Sequence, residues 1–253
     1  MQILYELYIV FLAFVLGLVF GSFGNAWAWR IAHNESIAKG RSHCPVCGHV
    51  LSIKDLVPLF SWLFLKGKCR YCGAPISKRY PLAESILGLY FISVFLVYGL
   101  SWICLRLMIL GFLLLVCSLV DWETMELPDP FLIAAALSSL LRITESGGIK
   151  SALIGCAAVS VPLLVLVLIM DRILKKESMG GGDIKLLVVL GLHFGAGKTF
   201  FLLILACLIG IISAYLTNKK NGTPFPFGPI LSISAWVTAL FGEKILIWYT
   251  SLL

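Results

Sequence analysis

The sequence predicts an all-α polytopic membrane protein of about eight transmembrane helices, with a small cytoplasmic zinc-ribbon-like domain inserted after the first helix. Of its 253 residues, 60% are hydrophobic and only 13% are charged, too few to cover a soluble globule of this size. Long apolar runs recur along the chain, and its one long polar segment contains two pairs of closely spaced cysteines. We therefore divide the chain into a first transmembrane helix at 1–29, a cytoplasmic zinc-binding domain at 30–80 and a transmembrane core at 81–253.

Eight apolar runs are the candidate membrane crossings. Windowed hydropathy places them at residues 3–20, 82–98, 103–120, 130–141, 152–170, 184–194, 200–216 and 230–248. The first run carries Glu6 and lacks the basic start of a signal peptide, so we expect a retained helix. The runs at 130–141 and 184–194 are short for a hydrocarbon core of about 30 Å. A thinned or water-filled part of the membrane would accommodate them.

The net charge of +7 has two interpretations. A basic surface could bind nucleic acid, but the positive-inside rule predicts the same excess in cytoplasmic loops. With residues 30–80 in the cytoplasm, alternate crossings also place 121–129, 171–185 and 217–227 there. These four segments hold 15 of the 20 lysines and arginines. The charge pattern therefore predicts a lipid bilayer, and no nucleic acid, as partner.

The polar segment contains a candidate metal site. Two C-x-x-C pairs, each followed by a glycine, match the spacing of a zinc ribbon, in which four thiolates surround the metal. Two disulfides are the alternative, but they need an oxidising compartment. His43 and His49 could replace a thiolate as metal ligands. The simpler interpretation is that both are surface histidines without a role in metal binding. We expect structural Zn²⁺ bound by Cys44, Cys47, Cys69 and Cys72.

Two aspartates stand at the ends of apolar runs. Asp121 ends one run, and Asp183 opens another directly after Gly180, Gly181 and Gly182. A charge costs roughly 2.5–3.5 kcal/mol at the centre of a bilayer and less near its surface. Both acids could be solvated loop carboxylates, and Asp183 could cap its helix. That alternative leaves the glycines unexplained, since glycines permit the close approach of another segment.

We expect Asp121 and Asp183 to meet in a wetted pocket at the cytoplasmic face. Two neighbouring carboxyl groups share a proton, so that one activates water and the other protonates a carbonyl oxygen. Glu123, Glu126 and Asp129 are alternatives to Asp121, although Asp129 also suits the start of the next helix. Nearby Lys185 either extends to the interface or pairs with a carboxylate.

Several motifs, in this order, resemble bacterial type IV prepilin peptidases, and the resemblance covers nearly the whole chain. They are Gly21-Ser22-Phe23-Gly24-Asn25, the paired cysteines with Pro58-Leu59-Phe60-Ser61-Trp62, Ser77-Lys78-Arg79-Tyr80-Pro81-Leu82-Ala83-Glu84, Asp121 with Leu127-Pro128-Asp129, and Gly180-Gly181-Gly182-Asp183-Ile184-Lys185. The resemblance implies an intramembrane aspartic protease of the bacterial inner membrane, with 81–253 as its protease core and Asp121 and Asp183 as catalytic residues.

The same resemblance implies the substrates and a second activity. Such enzymes remove the leader from type IV prepilins or pseudopilins at the cytoplasmic face, and serve pilus assembly, protein secretion or DNA uptake. Members with the cysteine domain also methylate the new amino terminus with S-adenosylmethionine. No glycine-rich nucleotide loop indicates where that donor would bind.

Two other classes of function fit the composition. A transporter or channel would use Asp121 and Asp183 as an ion or proton relay, and it would not cleave a prepilin. A non-enzymatic assembly scaffold would tolerate changes at both aspartates but would depend on the cysteine domain.

Overall fold

The computed structural model describes residues 2–36, 40–145, 148–175, 179–216 and 225–252. Four lysines that support the predicted orientation, Lys39, Lys176, Lys219 and Lys220, lie outside these ranges. The regular elements of the described residues are helices. They are α1 (Gln2–Ala32), α2 (Phe60–Phe64), α3 (Arg79–Tyr98), α4 (Trp102–Thr124), α5 (Asp129–Ser138), α6 (Gly148–Leu174), α7 (Gly181–Phe194), α8 (Ala196–Leu216) and α9 (Gly228–Thr250), with short 3₁₀ helices at Ile53–Asp55 and Ser139–Thr144.

The helices confirm the prediction of an all-α chain that crosses the membrane several times. Among the described residues, six helices are long and apolar enough to span a bilayer: α1, α3, α4, α6, α8 and α9. The other two predicted crossings are α5, with 10 residues, and α7, with 14. At about 1.5 Å per residue, neither reaches across a hydrocarbon core of about 30 Å. The two runs that were short in the sequence are therefore short helices.

The chain forms two compact units, Met1–Gly99 and Leu100–Leu253. In the first unit, α1 and α3 pack closely in antiparallel directions. A Cβ at Gly17 would lie 2.6 Å from Gly88 Cα, and one at Gly21 would lie 2.8 Å from Glu84 Cα. Both distances are shorter than side chains tolerate, so glycine is required where these backbones touch. The functional division at residues 29 and 80 stays a prediction.

In the second unit, α7 packs against α5, α6, α8 and α9. Leu186, Leu187 and Leu190 on α7 are fully buried. Where α6 meets α7, a Cβ at Gly155 would lie 2.4 Å from the carbonyl oxygen of Gly191. Tight packing on several sides therefore fixes this short helix.

A buried polar cluster holds the carboxyl end of α7. Arg106 Nη1 donates to the backbone oxygen of His193 at 2.8 Å, and Arg106 Nη2 pairs with Glu145 at 2.8 Å. Arg142 Nη1 donates to the backbone oxygen of Leu192 at 3.1 Å. The last four carbonyl groups of a helix have no partner within it, and here two guanidinium groups satisfy two of them, those of Leu192 and His193. The cluster anchors the end of α7 opposite to Asp183.

Candidate active site and cysteine cluster

Asp121 lies in the last turn of α4 and is held by the start of α9. The residue is buried, with only 5% of its surface exposed. The backbone N–H of Gly228, the first residue of α9, donates to Asp121 Oδ2 at 2.9 Å. The amino end of a helix offers unpaired N–H groups and a favourable dipole to a carboxylate. This contact fixes one oxygen of Asp121.

Gly228 is part of this arrangement because a larger residue there would displace the Asp121 carboxylate. A Cβ at this position would lie 2.8 Å from Asp121 Oδ2 and 3.3 Å from Leu127 Cδ2. Gly228 was not among the residues predicted from the sequence. The signal in the sequence was the Gly228-Pro229 dipeptide at the start of the last apolar run. Such a dipeptide marks a turn, but it does not indicate that Gly228 bonds to Asp121.

Asp183 occupies the first turn of α7, close to Asp121. The side chain of Leu127 lies beside Gly182, the residue before Asp183, since a Cβ at Gly182 would lie 3.2 Å from Leu127 Cβ. Leu127 thus contacts both Gly182, which precedes Asp183, and Gly228, which holds Asp121. The carboxyl groups of Asp121 and Asp183 are close enough to interact electrostatically. The structure therefore brings together the two aspartates that the sequence singled out.

The three glycines before Asp183 have different surroundings. Gly180 is the N-cap of α7, so Asp183 does not fill that position. A Cβ at Gly182 would press on Leu127, whereas a Cβ at Gly181 would meet no atom within 4 Å. The close approach inferred from the sequence therefore applies to Gly182 and not to Gly181.

The alternative acids near Asp121 are exposed. Glu123 and Glu126 lie on the surface of the described structure. Asp129 begins α5 and accepts a hydrogen bond from Lys185 Nζ at 2.7 Å, with both side chains 59% exposed. Exposed pairs of this kind contribute about 1 kcal/mol or less. Lys185 thus pairs with a carboxylate, the second of the two roles considered for it.

The four predicted metal ligands form a cluster. The Sγ atoms of Cys44, Cys47, Cys69 and Cys72 all lie within 4.8 Å of one another, and none forms a disulfide. Cys44 Sγ and Cys72 Sγ are 3.9 Å apart. Tetrahedral Zn–S bonds of about 2.3 Å place sulfurs about 3.8 Å apart, so the cluster could hold a metal ion. His43 and His49 are not part of it.

Local backbone geometry explains how each C-x-x-C pair forms. Gly48 and Gly73 follow the second cysteine of each pair with φ of 70° and 72°, which favours glycine. Their N–H groups donate to the backbone oxygens of Cys44 and Cys69 at 2.8 and 2.9 Å. The backbone N–H of Cys47 lowers the pKa of the Cys44 thiol to about 7. In the same cluster, desolvation and the neighbouring thiols raise the pKa of Cys72 to about 12, so the shift at Cys44 does not extend to all four thiols.

Asp55 ties together the polypeptide around the cysteine cluster. Its side chain is 3% exposed and accepts hydrogen bonds from the Ser52 hydroxyl at 2.6 Å, Arg70 Nε at 2.6 Å and the Tyr71 hydroxyl at 3.1 Å. These donors, led by the Ser52 hydroxyl, hold the pKa of the Asp55 carboxyl well below its usual range. Ionised Asp55 therefore stabilises this segment.

Asp55→Asn is expected to lower the thermal unfolding midpoint of the full-length protein at pH 7. The folded-state pKa of Asp55 is depressed, so its stabilising effect is complete above about pH 4, where the unfolded residue ionises, and declines as the pH falls further. The gap between parent and variant should shrink below that pH. Unfolding midpoints between about pH 7 and pH 3 measure it, with Lys54→Ala, an exposed neighbour, as control. A gap that widens on acidification would refute this role.

Comparisons with known proteins place both units of the chain in one family. Residues 15–98 match the bacterial peptidase A24 N-terminal domain, and residues 108–215 match the type IV leader peptidase family. No solved structure matches the chain.

Curated relatives cover most of the chain. A prepilin leader peptidase/N-methyltransferase of Aeromonas hydrophila is 37% identical over 217 residues, which are 83% of this chain and 74% of the relative. A type 4 prepilin-like proteins leader peptide-processing enzyme of Escherichia coli O78:H11 is 36% identical over 90% of this chain and 92% of the relative. A prepilin leader peptidase/N-methyltransferase of Bacillus subtilis is 32% identical over 93% of this chain and 96% of the relative. On this evidence, the chain belongs to the type IV leader peptidase family.

Proposed function

We propose that this protein removes leader peptides from type IV prepilins or pseudopilins at the cytoplasmic face of the bacterial inner membrane, with Asp121 and Asp183 as catalytic residues. The observation that carries the proposal is that these two acids are near enough to interact electrostatically, with Leu127 packed between Gly182 beside Asp183 and Gly228 beside Asp121. Both lie within residues 108–215, the part that matches the leader peptidase family. The excess of basic residues in the segments on this side supports the cytoplasmic orientation.

The arrangement can support hydrolysis by an acid pair. One carboxylate takes a proton from a water molecule, which attacks the peptide carbonyl, while the other carboxyl group donates its proton to the carbonyl oxygen. Proton transfer to the departing amine then breaks the C–N bond. The Gly228 N–H fixes one oxygen of Asp121 throughout, and the shared proton belongs to the pair rather than to either residue.

We infer that the four-cysteine cluster binds structural Zn²⁺. The sulfur spacing suits a tetrahedral ion, and four thiolates leave no open coordination position for catalysis. The cluster would therefore stabilise the polypeptide at 30–80 rather than react with substrate. This assignment agrees with the predicted reducing cytoplasmic location, where disulfides are rare.

We also propose that the protein N-methylates the amino terminus that cleavage exposes. The relatives from Aeromonas hydrophila and Bacillus subtilis carry N-methyltransferase in their names. S-adenosylmethionine would supply an electrophilic methyl group. Since the resemblance links methylation to members that carry the cysteine domain, we assign the second activity to the first unit, which holds the four-cysteine cluster.

Cys44→Ser and Cys69→Ser are expected to remove zinc, lower the unfolding midpoint and abolish methylation, because three remaining thiolates close the site poorly. Elemental analysis, thermal unfolding and mass spectrometry of the peptide product measure the three effects. Cys207→Ser, at an exposed cysteine on α8, is the control and should behave like the parent. Zinc-free protein with parental stability and methylation would contradict a structural metal.

The proposed function is tested by incubating the purified full-length protein in detergent with a synthetic prepilin and isotopically labelled S-adenosylmethionine. Mass spectrometry should show a shortened peptide with one labelled methyl group on its new amino terminus. An intact prepilin, together with aspartate-dependent ion flux in liposomes, would instead indicate a transporter.

A further inference from the structure

The first unit contains a buried carboxylate that the proposed cleavage reaction does not use. Glu84 lies on α3 and is 5% exposed. Its Oε2 accepts a hydrogen bond from the backbone N–H of Leu59 at 2.7 Å, and the Ser22 side chain also hydrogen-bonds to it. Both donors are neutral, and no lysine or arginine among the described residues forms an ion pair with it. A buried carboxylate without a counter-ion is costly, and a cationic ligand would offset that cost.

Asn25 adds a second unsatisfied group on the facing helix. It is 1% exposed, and neither its Oδ1 nor its Nδ2 has a hydrogen-bond partner. Buried side-chain amides are nearly always hydrogen-bonded in native proteins. Asn25 lies three and four residues after Ser22 and Gly21, on the face of α1 that packs against Glu84. A side-chain amide that is free to donate and accept hydrogen bonds can bind both the C=O and the N–H of a peptide group.

The loop that covers Glu84 has an unusual backbone. Leu59 has φ of 58° and ψ of −51°, and Phe60 N donates to the oxygen of Pro58 at 2.6 Å. This is a γ-turn of the rare, strained kind. Strained residues gather at functional sites, where surrounding contacts hold them. Here the Leu59 N–H donates to Glu84. Leu59 lies between the two C-x-x-C pairs in the sequence.

We propose that Glu84 and Asn25 form the subsite for the α-amino group of the cleaved pilin, an inference that rests on the proposed methyltransferase function. The positively charged amino terminus supplies the missing counter-ion for Glu84, and Asn25 hydrogen-bonds the first peptide group. A carboxylate has about four lone-pair positions, so Leu59 and Ser22 leave room for this ligand.

Glu84 also prepares the amine for reaction. The ammonium gives one proton to the carboxylate, which breaks an N–H bond and forms the O–H bond of a neutral Glu84. The amine lone pair then attacks the methyl group of the sulfonium donor: an N–C bond forms, and the S–C electron pair stays on sulfur as a neutral thioether. The product is a secondary ammonium, and its positive charge came from the sulfonium.

Glu84→Gln and Asn25→Leu separate this role from a structural one. The glutamine amide cannot accept the proton of the ammonium, yet it keeps an oxygen for the Leu59 N–H. Glu84→Gln should therefore lower methylation about 100-fold or more, while cleavage continues at the parental rate. Asn25→Leu removes a buried polar group that has no partner, so it should raise the unfolding midpoint. It should nevertheless lower methylation about tenfold through the lost hydrogen bond.

The assay uses full-length protein with two peptides, a prepilin and the same peptide already lacking its leader. The pre-cleaved peptide, without methyl donor, should raise the unfolding midpoint of the parent but not of Glu84→Gln. Ser85→Ala, whose hydroxyl bonds only the Pro81 carbonyl among the described contacts, is the control and should match the parent.

Parental methylation by both variants would overturn the subsite, as would parallel losses of cleavage, methylation and stability. A parent that cleaves the prepilin but does not methylate the pre-cleaved peptide would also overturn it, while leaving the peptidase in place. A parent that methylates the pre-cleaved peptide without cleaving the prepilin would refute the peptidase alone, and the variants would then still test the subsite.

Discussion

Asparagine in place of either Asp121 or Asp183 is expected to slow prepilin cleavage by about a thousandfold or more. Each substitution keeps the size of the side chain but removes its ability to exchange a proton, and acid–base groups contribute about 10²–10⁴-fold each. Methylation of a pre-cleaved peptide should continue, because the proposed amine subsite lies in the first unit. Mass spectrometry of the two peptides measures both activities.

Asp129→Asn is the matched control for these variants. Asp129 is also an acid, at the first residue of α5, but its carboxylate is exposed and pairs with Lys185. Loss of that pair costs about 1 kcal/mol at most, so cleavage should remain near the parental rate. Full activity in either Asp121→Asn or Asp183→Asn would remove the proposed mechanism.

Gly228→Ala is expected to lower cleavage by about 10- to 100-fold. The added Cβ would lie 2.8 Å from Asp121 Oδ2, so the carboxylate must move and lose the Gly228 N–H. Hydrogen bonds to charged groups contribute about 1.5–3 kcal/mol, and each step of about 1.4 kcal/mol corresponds to about tenfold in rate. The turnover number should fall, while methylation of the pre-cleaved peptide is unchanged.

Gly181→Ala makes the same chemical change at the start of α7 and serves as control. A Cβ there meets no atom within 4 Å, and alanine favours a helix over glycine. The test compares the steady-state rates at which the two variants cleave the same prepilin. A loss at Gly181 that equals or exceeds the loss at Gly228 would show that the Asp121 contact does not matter.

Features that depend on nearby residues could be predicted from the sequence. Hydropathy located every α-helix of the described residues except α2, including the short α5 and α7, because burial in lipid requires continuous apolar runs. The cysteine cluster was predicted because C-x-x-C-Gly places both thiolates of a pair through a local turn. Asp121 and Asp183 stood out because acids are rare beside membrane segments.

Contacts between distant residues were not predictable. Gly228 and Asp121 are 107 residues apart, and Arg106 is 87 residues from His193. A glycine before a proline or an arginine in an apolar run carries no sign of its partner. Glu84 was part of a motif, but its burial beside an unpaired Asn25 depends on how α1 packs against α3. Hydropathy says which faces are apolar but not which residues meet.

The most direct test of a shared acid pair is single-turnover cleavage by Asp121→Asn, Asp183→Asn and the protein carrying both changes. Residues that act as one unit have losses that do not add. We expect the same residual rate in all three proteins, since removal of either acid disables the pair. A double variant whose loss equals the product of the two single losses would show that Asp121 and Asp183 act independently, and would contradict the mechanism.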